Sequence, residues 1–75
     1  AAAGYENEIT GLGTHNPGDQ VTVTYTGTSN LDTSEPISAS IEGGSSVQVT
    51  KVSAKSVRFT MPEGNVVVTP AEIVD

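Results

Sequence analysis

The chain has 75 residues, with nine acidic and three basic side chains and a formal net charge of −6, which is the size of one small domain. An acidic surface repels phosphate backbones and anionic lipids, so nucleic acids and membrane surfaces are set aside as partners. The absence of cysteine excludes disulfides and thiolate metal sites, and no run approaches the ~20 apolar residues of a membrane-spanning helix. With one Phe, two Tyr and no Trp, the core is built from Val, Ile and small residues, which leaves no room for a small-molecule pocket.

The first residues do not form a targeting segment. Ala1, Ala2 and Ala3 lack the cationic start and the apolar run of a signal peptide. The missing initiator Met predicts a chain that is processed or excised from something longer. Small residues at this position fit either the segment after a signal cleavage site or a cloning remnant.

Alternating polar and apolar residues predict β-strands along most of the chain. Apolar residues nowhere recur at three- and four-residue spacing over ten positions, so no helix is predicted. Residues 5–10 are predicted as a first strand, because Tyr5, Asn7 and Ile9 fall on one strand face. Residues 11–19 are rich in Gly, Asn and Pro, which predicts a loop.

Residues 20–26 give the clearest strand pattern in the sequence. Three apolar residues alternate with three threonines, and β-branched side chains on both faces favour the pleated conformation. Residues 27–36 form a second polar loop, in which Leu31 is the one apolar side chain and is expected to pin the loop to the core. The apolar face of the strand consists of Val21, Val23 and Tyr25.

The middle of the chain predicts two further strands. Ile37, Ala39 and Ile41 alternate with serines, and residues 43–45 then turn the chain. Val47 and Val49 continue the alternation in the next strand.

The alternation fails at Val52. A change of parity predicts a β-bulge near Thr50–Lys51 or the end of the strand. Residues 53–55 then turn the chain into the next strand.

Residues 57–69 read as two strands joined by a tight turn. The first has Val57, Phe59 and Met61 on one face, and residues 62–65 supply a proline and a glycine suited to a turn. Three consecutive valines then begin a return strand that is expected in the middle of a sheet. After Pro70, a short edge strand is predicted at Ile73 and Val74.

These six to seven short strands predict an all-β fold, a small antiparallel β-sandwich that is Ig-like or a partly open barrel. Residues 1–75 are predicted to be a single β-domain. Residues 1–16 are predicted to be a flexible leader, or an exchangeable N-terminal strand plus its loop.

Five segments in this order resemble a bacterial extracellular repeat. In that family a strand ending in "FTMP" leads into a "VTV" strand, downstream of an "AGDxVTVT" segment. The chain is similar to internalin-type B-repeats and other Ig-like surface modules. The matching segments are Pro17–Thr24, Ile37–Ser40, Val47–Val52, Phe59–Pro62 and Asn65–Val68.

The resemblance implies a role as well as a fold. Such repeats occur in tandem on secreted and wall-anchored proteins as spacers and sometimes as adhesive modules, and the family has no catalytic residues. The chain departs from the family pattern at residues 26–31, where an aromatic-rich stretch is usual. Residues 70–72 replace the usual final aromatic. These departures bear on the tandem arrangement more than on the fold.

Few residues carry recognisable chemistry. His15 is the only histidine, and no strained Gly-x-Ser-x-Gly turn accompanies it for a nucleophilic triad. Glu6 and Glu8 share a strand face, where paired carboxylates do acid–base work if one is desolvated. They are interpreted here as solvating charges, so the chain is predicted not to be an enzyme.

Calcium binding is an alternative for the second polar loop. Calcium takes six to eight oxygen ligands, and residues 30–35, joined by Asp19, offer several carboxylates and carbonyls. The spacing of an EF-hand is absent. No metal, cofactor or catalytic site is therefore assigned.

A covalent crosslink is a second alternative. A Lys–Asn isopeptide bond would stabilise a β-domain that has no disulfide, and the reactants here would be Lys51 or Lys55 with Asn65 or Asn7. The lysines fall at predicted turns, where exposure is expected. An intact mass lower by one ammonia would reveal the bond.

The three cations lie within eight residues of one another, at Lys51, Lys55 and Arg58. They are either solubilising side chains on an exposed hairpin or a docking spot for an acidic partner. Tyr5 and Tyr25 are the only candidates for the aromatic platform of a glycan site, and both fall on apolar-parity positions, which predicts that they pack in the core.

Two functions are therefore carried forward. The first is a non-catalytic structural or spacer module of a bacterial secreted or cell-surface protein, with neighbouring domains as its partners. The second is a subunit of an extracellular filament or tube that assembles with identical subunits. In that case residues 1–10 would pair with the sheet edge of the next subunit by β-augmentation.

Overall fold

The computed structural model describes residues 1–73 and confirms an all-β chain without a helix in that range. None of this part of the chain forms a helix long and apolar enough to cross a membrane. Residues 1–73 contain eight strands rather than the predicted six or seven, and three of the eight have only two residues. The strands are β1 (Ala2–Ala3), β2 (Ile9–Thr10), β3 (Gln20–Tyr25), β4 (Ile37–Ile41), β5 (Ser46–Val47), β6 (Thr50–Ser53), β7 (Ser56–Thr60) and β8 (Val66–Pro70).

The strands form two four-stranded sheets around one core, which is consistent with a small β-sandwich. Sheet A has the order β1-β8-β4-β5 and sheet B the order β2-β3-β7-β6. All pairings are antiparallel except that of β1 with β8, which is parallel. The core takes residues from both sheets: Ala2, Ile9, Val21, Val23, Tyr25, Leu31, Ile37, Ala39, Val57, Phe59, Met61, Val66 and Val68.

The strand predicted most clearly, β3, lies at the centre of sheet B beside β7. Val21 pairs with Phe59 and Val23 with Val57, and all four side chains are buried. Leu31 is also buried and is bridged to Glu72. The predicted anchoring of the second polar loop is therefore confirmed.

The prediction that residues 57–69 form a hairpin is wrong, because β7 and β8 belong to different sheets. Met61 stays attached to the start of β3, where its N–H donates to the carbonyl of Asp19 and its carbonyl accepts from Gly18. Pro62 has no N–H for a ladder, so pairing ends and residues 62–65 cross between the sheets. A turn with a proline between two alternating strands has the same sequence pattern whether the strands pair in one hairpin or belong to different sheets.

Strand β8 lies inside sheet A, between β1 and β4, as predicted for the valine run. Its burial nevertheless alternates. Val66 and Val68 are buried, whereas Val67 is 37% exposed on the outer face. The run is therefore apolar on both faces although only one face lies in the core.

The strand predicted to continue through Val47 and Val49 is also divided between the sheets. Strand β5 pairs with β4, β6 pairs with β7, and residues 48–49 cross between them. The predicted bulge is present, with the register shifting between Lys51 and Ser53.

Of the strand predicted at residues 5–10, only Ile9–Thr10 is formed. Tyr5 has a φ of 56°, and its carbonyl accepts hydrogen bonds from the N–H groups of Glu8 and Ile9, so residues 5–8 form a turn. A turn here was not recognisable, since alternation over six residues fits both conformations.

The N-terminal strand is instead β1, which the sequence does not signal. Ala2 pairs with Val66 of β8 and is bridged on its other side to Gly13, through hydrogen bonds of 2.7 and 2.9 Å. Its side chain is buried. Strand β1 thus closes one side of the gap between the sheets.

The final strand predicted at Ile73 and Val74 is not formed at Ile73, and Val74 lies outside the described residues. Ile73 is 47% exposed, and its N–H donates to the carbonyl of Asn30. The chain after β8 therefore packs on the second polar loop rather than joining a sheet as a strand.

Candidate functional site

His15 and Glu6, which suggested nucleophilic and acid–base chemistry, are held by nearby backbone groups. His15 Nε2 lies 3.0 Å from the carbonyl oxygen of Gly11. Glu6 accepts a hydrogen bond from the Gly4 N–H at 3.1 Å, and backbone hydrogen bonds from Glu6 itself and from Gly4 lower the pKa of its carboxyl group. The carboxylates of Glu6 and Glu8 do not share a strand face, since the segment between them is a turn.

In the loop considered for calcium, the Asp32 carboxylate is engaged by backbone N–H groups of the same loop. Asp32 Oδ1 accepts hydrogen bonds from the N–H groups of Ser34 at 2.8 Å and Glu35 at 3.0 Å. These bonds, that of Glu35 first, lower the pKa of Asp32. Asp19 lies at the other end of the sandwich, where it caps a turn at Asn16. Within residues 1–73 no three His, Cys, Asp or Glu side chains are grouped as metal ligands would be.

Two of the four residues considered for an isopeptide bond, Lys51 and Asn65, have other partners. Lys51 Nζ donates to the carbonyl oxygen of Thr33 at 2.7 Å. Asn65 Oδ1 accepts from the terminal amine of Ala1 at 2.9 Å. The two side chains are thus engaged at opposite ends of the fold and are not brought together.

The two tyrosines differ. Tyr25 is 2% exposed, as predicted, and its hydroxyl donates to Glu72 Oε2 at 3.1 Å and accepts from the Ser29 N–H at 3.4 Å. Tyr5 is 48% exposed, so its predicted place in the core is wrong. The turn at residues 5–8 removes Tyr5 from the strand parity on which that prediction rested.

Ala1 and Ala71 lie at opposite ends of sheet A. The carbonyl of Ala1 accepts from the N–H of Val66, at the start of β8. The N–H of Ala71 donates to the carbonyl of Pro36, beyond the end of β8. Because β1 runs parallel to β8, Ala1 lies at one end of the sheet, here called the entry end, and Ala71 lies at the other, the exit end.

Charge is distributed unevenly between strands and loops. Every described carboxylate lies outside the strands, and only Lys51 and Arg58 are charged residues within them. The outer faces of both sheets are therefore hydroxyl-rich and free of acidic groups. The described acidic residues are Glu6, Glu8, Asp19, Asp32, Glu35, Glu42, Glu63 and Glu72.

All three cations fall on one element, the hairpin of β6 and β7 (residues 50–60), called here the cationic hairpin. Arg58 is exposed on β7 opposite Thr50, and Lys55 lies in the turn. Strand β6 is the edge of sheet B, and all four of its residues are exposed. Its Val52 is 53% exposed.

Two shallow depressions flank the segment that crosses from β5 to β6. One has a volume of about 430 Å³ and is lined by Glu35, Gln48 and Lys51 among others. The other has a volume of about 400 Å³ and is lined by Gln48, Thr50 and Arg58 among others. Each depression therefore has one cation of the cationic hairpin in its wall.

Sequence reasoning located the three cations together but missed both depressions. The depressions exist because the chain changes sheets at residues 48–49, and no residue there signals that change. Comparison with protein families, with curated proteins and with solved structures finds no match to this chain.

Proposed function

We propose that this chain is a non-catalytic structural module that acts as a spacer in a bacterial secreted or cell-surface protein. The observation that carries the proposal is the placement of Ala1 at the entry end and of Ala71 at the exit end. Domains joined before and after such a module project in opposite directions. The module then sets a distance between its neighbours instead of folding them together.

The strand order supports an Ig-like assignment within the sandwich class. Sheet B has the order β2-β3-β7-β6, which corresponds to strands A, B, E and D of an Ig constant-type domain, while β4 and β8 correspond to C and F. The place beside β8 that the last Ig strand would take is occupied by β1. An Ig-like topology is also what the resemblance to bacterial surface repeats implies.

The charge distribution favours separation of neighbouring copies. The entry end carries Asp19, Glu42 and Glu63, and the exit end carries Asp32 and Glu72. In a tandem array an acidic end would face an acidic end, and repulsion over about a Debye length holds them apart. No catalytic role is proposed, because His15 and Asp32 are held by backbone groups.

A fusion of two copies joined directly, Asp75 to Ala1, tests the spacer proposal by small-angle X-ray scattering. The maximum dimension of the fusion is expected to be close to twice that of a single copy. A control fusion through a long Gly/Ser linker reports whether the copies attract each other when they are free to do so. A directly joined pair that is compact and side by side would contradict the proposal.

A filament subunit is the second candidate, favoured by one feature of the N-terminal strand. Strand β1 pairs with β8 at only two residues, and the turn that follows holds Tyr5 at a φ of 56°. A side chain in this left-handed conformation costs about 1 kcal/mol, and an opened chain releases that strain. Residues 1–3 of one copy would then occupy the same place in the next copy.

Substitution at Tyr5 tests the filament candidate. Tyr5→Gly removes the strain in the closed form and is expected to reduce assembly, whereas Tyr5→Ala keeps the strain and serves as the matched control. Size-exclusion chromatography and negative-stain microscopy over a range of concentrations provide the measurement. A chain that stays monomeric throughout would contradict this candidate.

A further inference from the structure

Strand β6 differs from every other sheet edge in the described part of the chain. The remaining edge strands, β1, β2 and β5, have two residues each, and β1 is bridged on its outer side by Gly13. Strand β6 has four residues, all exposed, and pairs on one side only, with β7. It therefore offers the longest open row of backbone donors and acceptors on these sheets.

The charge around β6 selects the kind of strand that can pair with it. Lys51, Lys55 and Arg58 lie on the cationic hairpin, and the described carboxylates lie in loops outside it. Glu35 lines the same depression as Lys51, and Asp32 lies close enough to interact with Lys51, so Lys55 and Arg58 are the cations without a neighbouring carboxylate in these contacts. A basic segment is repelled here, whereas an acidic segment is attracted toward the one cationic element of an acidic chain. The β6 edge of a second copy meets the same lysines and is repelled as well.

The surface beside β6 also offers contacts for side chains. Val52 is 53% exposed on the strand itself, and the two depressions lie beside its first residues, with Lys51 and Arg58 in their walls. Strand addition gains affinity from main-chain hydrogen bonds and specificity from pockets for alternate side chains. Both kinds of contact are available along this edge.

We propose that β6 is a docking edge for an extended acidic peptide segment of another protein, which adds to sheet B as a fifth strand. The segment alternates acidic residues with β-branched residues. Lys51 pairs with Val57 and Thr50 with Arg58, so Lys51 and Arg58 lie on opposite faces of sheet B, and the acidic residues of the segment lie on the face of Arg58. The bulge between Lys51 and Ser53 limits the pairing to a short stretch and deters indiscriminate pairing. The function that results is recognition of a partner, in addition to spacing.

The test uses the intact chain and a synthetic heptapeptide that alternates Glu with Val. Fluorescence anisotropy measures its affinity, and amide chemical shifts map its position. Binding is expected to perturb residues 48–53 and to weaken as salt increases. The same peptide with N-methylated backbone amides keeps its charge but cannot complete a ladder, and it is expected not to bind.

Variants separate charge from strand pairing. Arg58→Gln changes an exposed side chain and is expected to weaken binding about two- to fivefold, the range for loss of an exposed ion pair. Glu42→Gln, at the entry end, is the matched control and is expected to leave the affinity within twofold of the parent chain. Val52→Pro is expected to abolish binding, and its fold is checked from the amide spectrum.

Three results would overturn the proposal. The first is absence of binding at millimolar peptide, and the second is perturbation centred on β1, β2 or β5. The third is equal binding of the N-methylated peptide, since this would reduce the effect to charge alone. These outcomes rest on the parent chain and therefore do not depend on whether Val52→Pro folds.

Discussion

Gly27 leaves the space in which the buried Tyr25 side chain lies. A Cβ atom at Gly27 would overlap the Tyr25 hydroxyl and come within 2.8 Å of its ring Cε1. The ring has no room to move, because Tyr25 is 2% exposed and its hydroxyl is bonded to Glu72. A small residue is therefore required at this position.

Gly27→Ala is accordingly expected to destabilise the fold by about 2 kcal/mol, as overpacking of a filled core does. Gly44→Ala is the matched control, since a Cβ there would lie 3.5 Å from Ile41 Cγ2 at ordinary contact distance. Urea unfolding of both variants measures the difference. Equal stability of the two would show that Tyr25 is free to move.

Asp32 gives the fold a dependence on acid. In the folded chain, hydrogen bonds from the N–H groups of Glu35 and Ser34 lower the pKa of the Asp32 carboxyl group below its ordinary value of 3.8. A lowered pKa contributes stability that is present above the unfolded value and is lost as the pH falls through the folded value. The carboxylate is fully exposed, so the contribution is small.

Asp32→Asn keeps an oxygen for the same two N–H groups but removes the titration. Between about pH 5 and about pH 2, the free energy of unfolding is expected to fall less in the variant than in the parent chain. Chemical denaturation at a series of pH values measures this. The effect of Glu6, which has the same sign, is common to both chains and cancels, and parallel pH profiles would contradict the prediction.

At the scale of elements, β8 determines how sheet A faces the core. Val66 and Val68 are buried, and Val67 lies on the outer face between them. Strand β8 pairs along its whole length with β4, from Val66 opposite Ile41 to Pro70 opposite Ile37. The register therefore decides which valines of an otherwise uniform run carry the packing.

Val68→Ala is expected to cost about 2 kcal/mol, from two buried methyl groups and the cavity they leave. Val67→Ala removes the same atoms from an exposed site and is expected to cost about 0.5 kcal/mol. Thermal or urea unfolding of the pair tests the register. Equal losses would mean that both faces of β8 are covered.

At the scale of the whole molecule, the charge of −6 acts against folding through self-repulsion. The carboxylates are placed at the loops of both ends, with Asp19, Glu42 and Glu63 at the entry end. Such exposed charges interact over distances that salt screens. The same placement keeps both sheet faces free of acidic groups.

Raising the salt from ~10 mM to ~150 mM shortens the Debye length from roughly 30 Å to roughly 8 Å. The free energy of unfolding is expected to rise by on the order of 0.5 kcal/mol. A double variant, Glu42→Gln with Glu63→Gln, carries less charge and is expected to respond less. A decrease of stability with salt would show that attraction, not repulsion, dominates the charges of the folded chain.

The sequence by itself determined the all-β class, the strands at residues 20–25 and 37–41, and the bulge near Lys51. Side-chain alternation is a local property of an extended chain, and these segments bury one face each. The three cations beside the proposed docking edge are also close together in the sequence, so the sequence alone indicates that they form one group. It does not indicate the depressions beside them.

The tertiary structure alone decided which strands share a sheet. Residues 48–49 and 62–65 cross between the sheets, although residues 48–49 continue the alternation of a strand and the turn chemistry of residues 62–65 suits a hairpin equally well. Strand β1 is held by β8, which is distant in sequence, and by Gly13 in the loop after β2. No sequence pattern around Ala2 predicts that its side chain is buried. Partners distant in sequence fix these choices, because a strand's own residues specify its faces but not its neighbours.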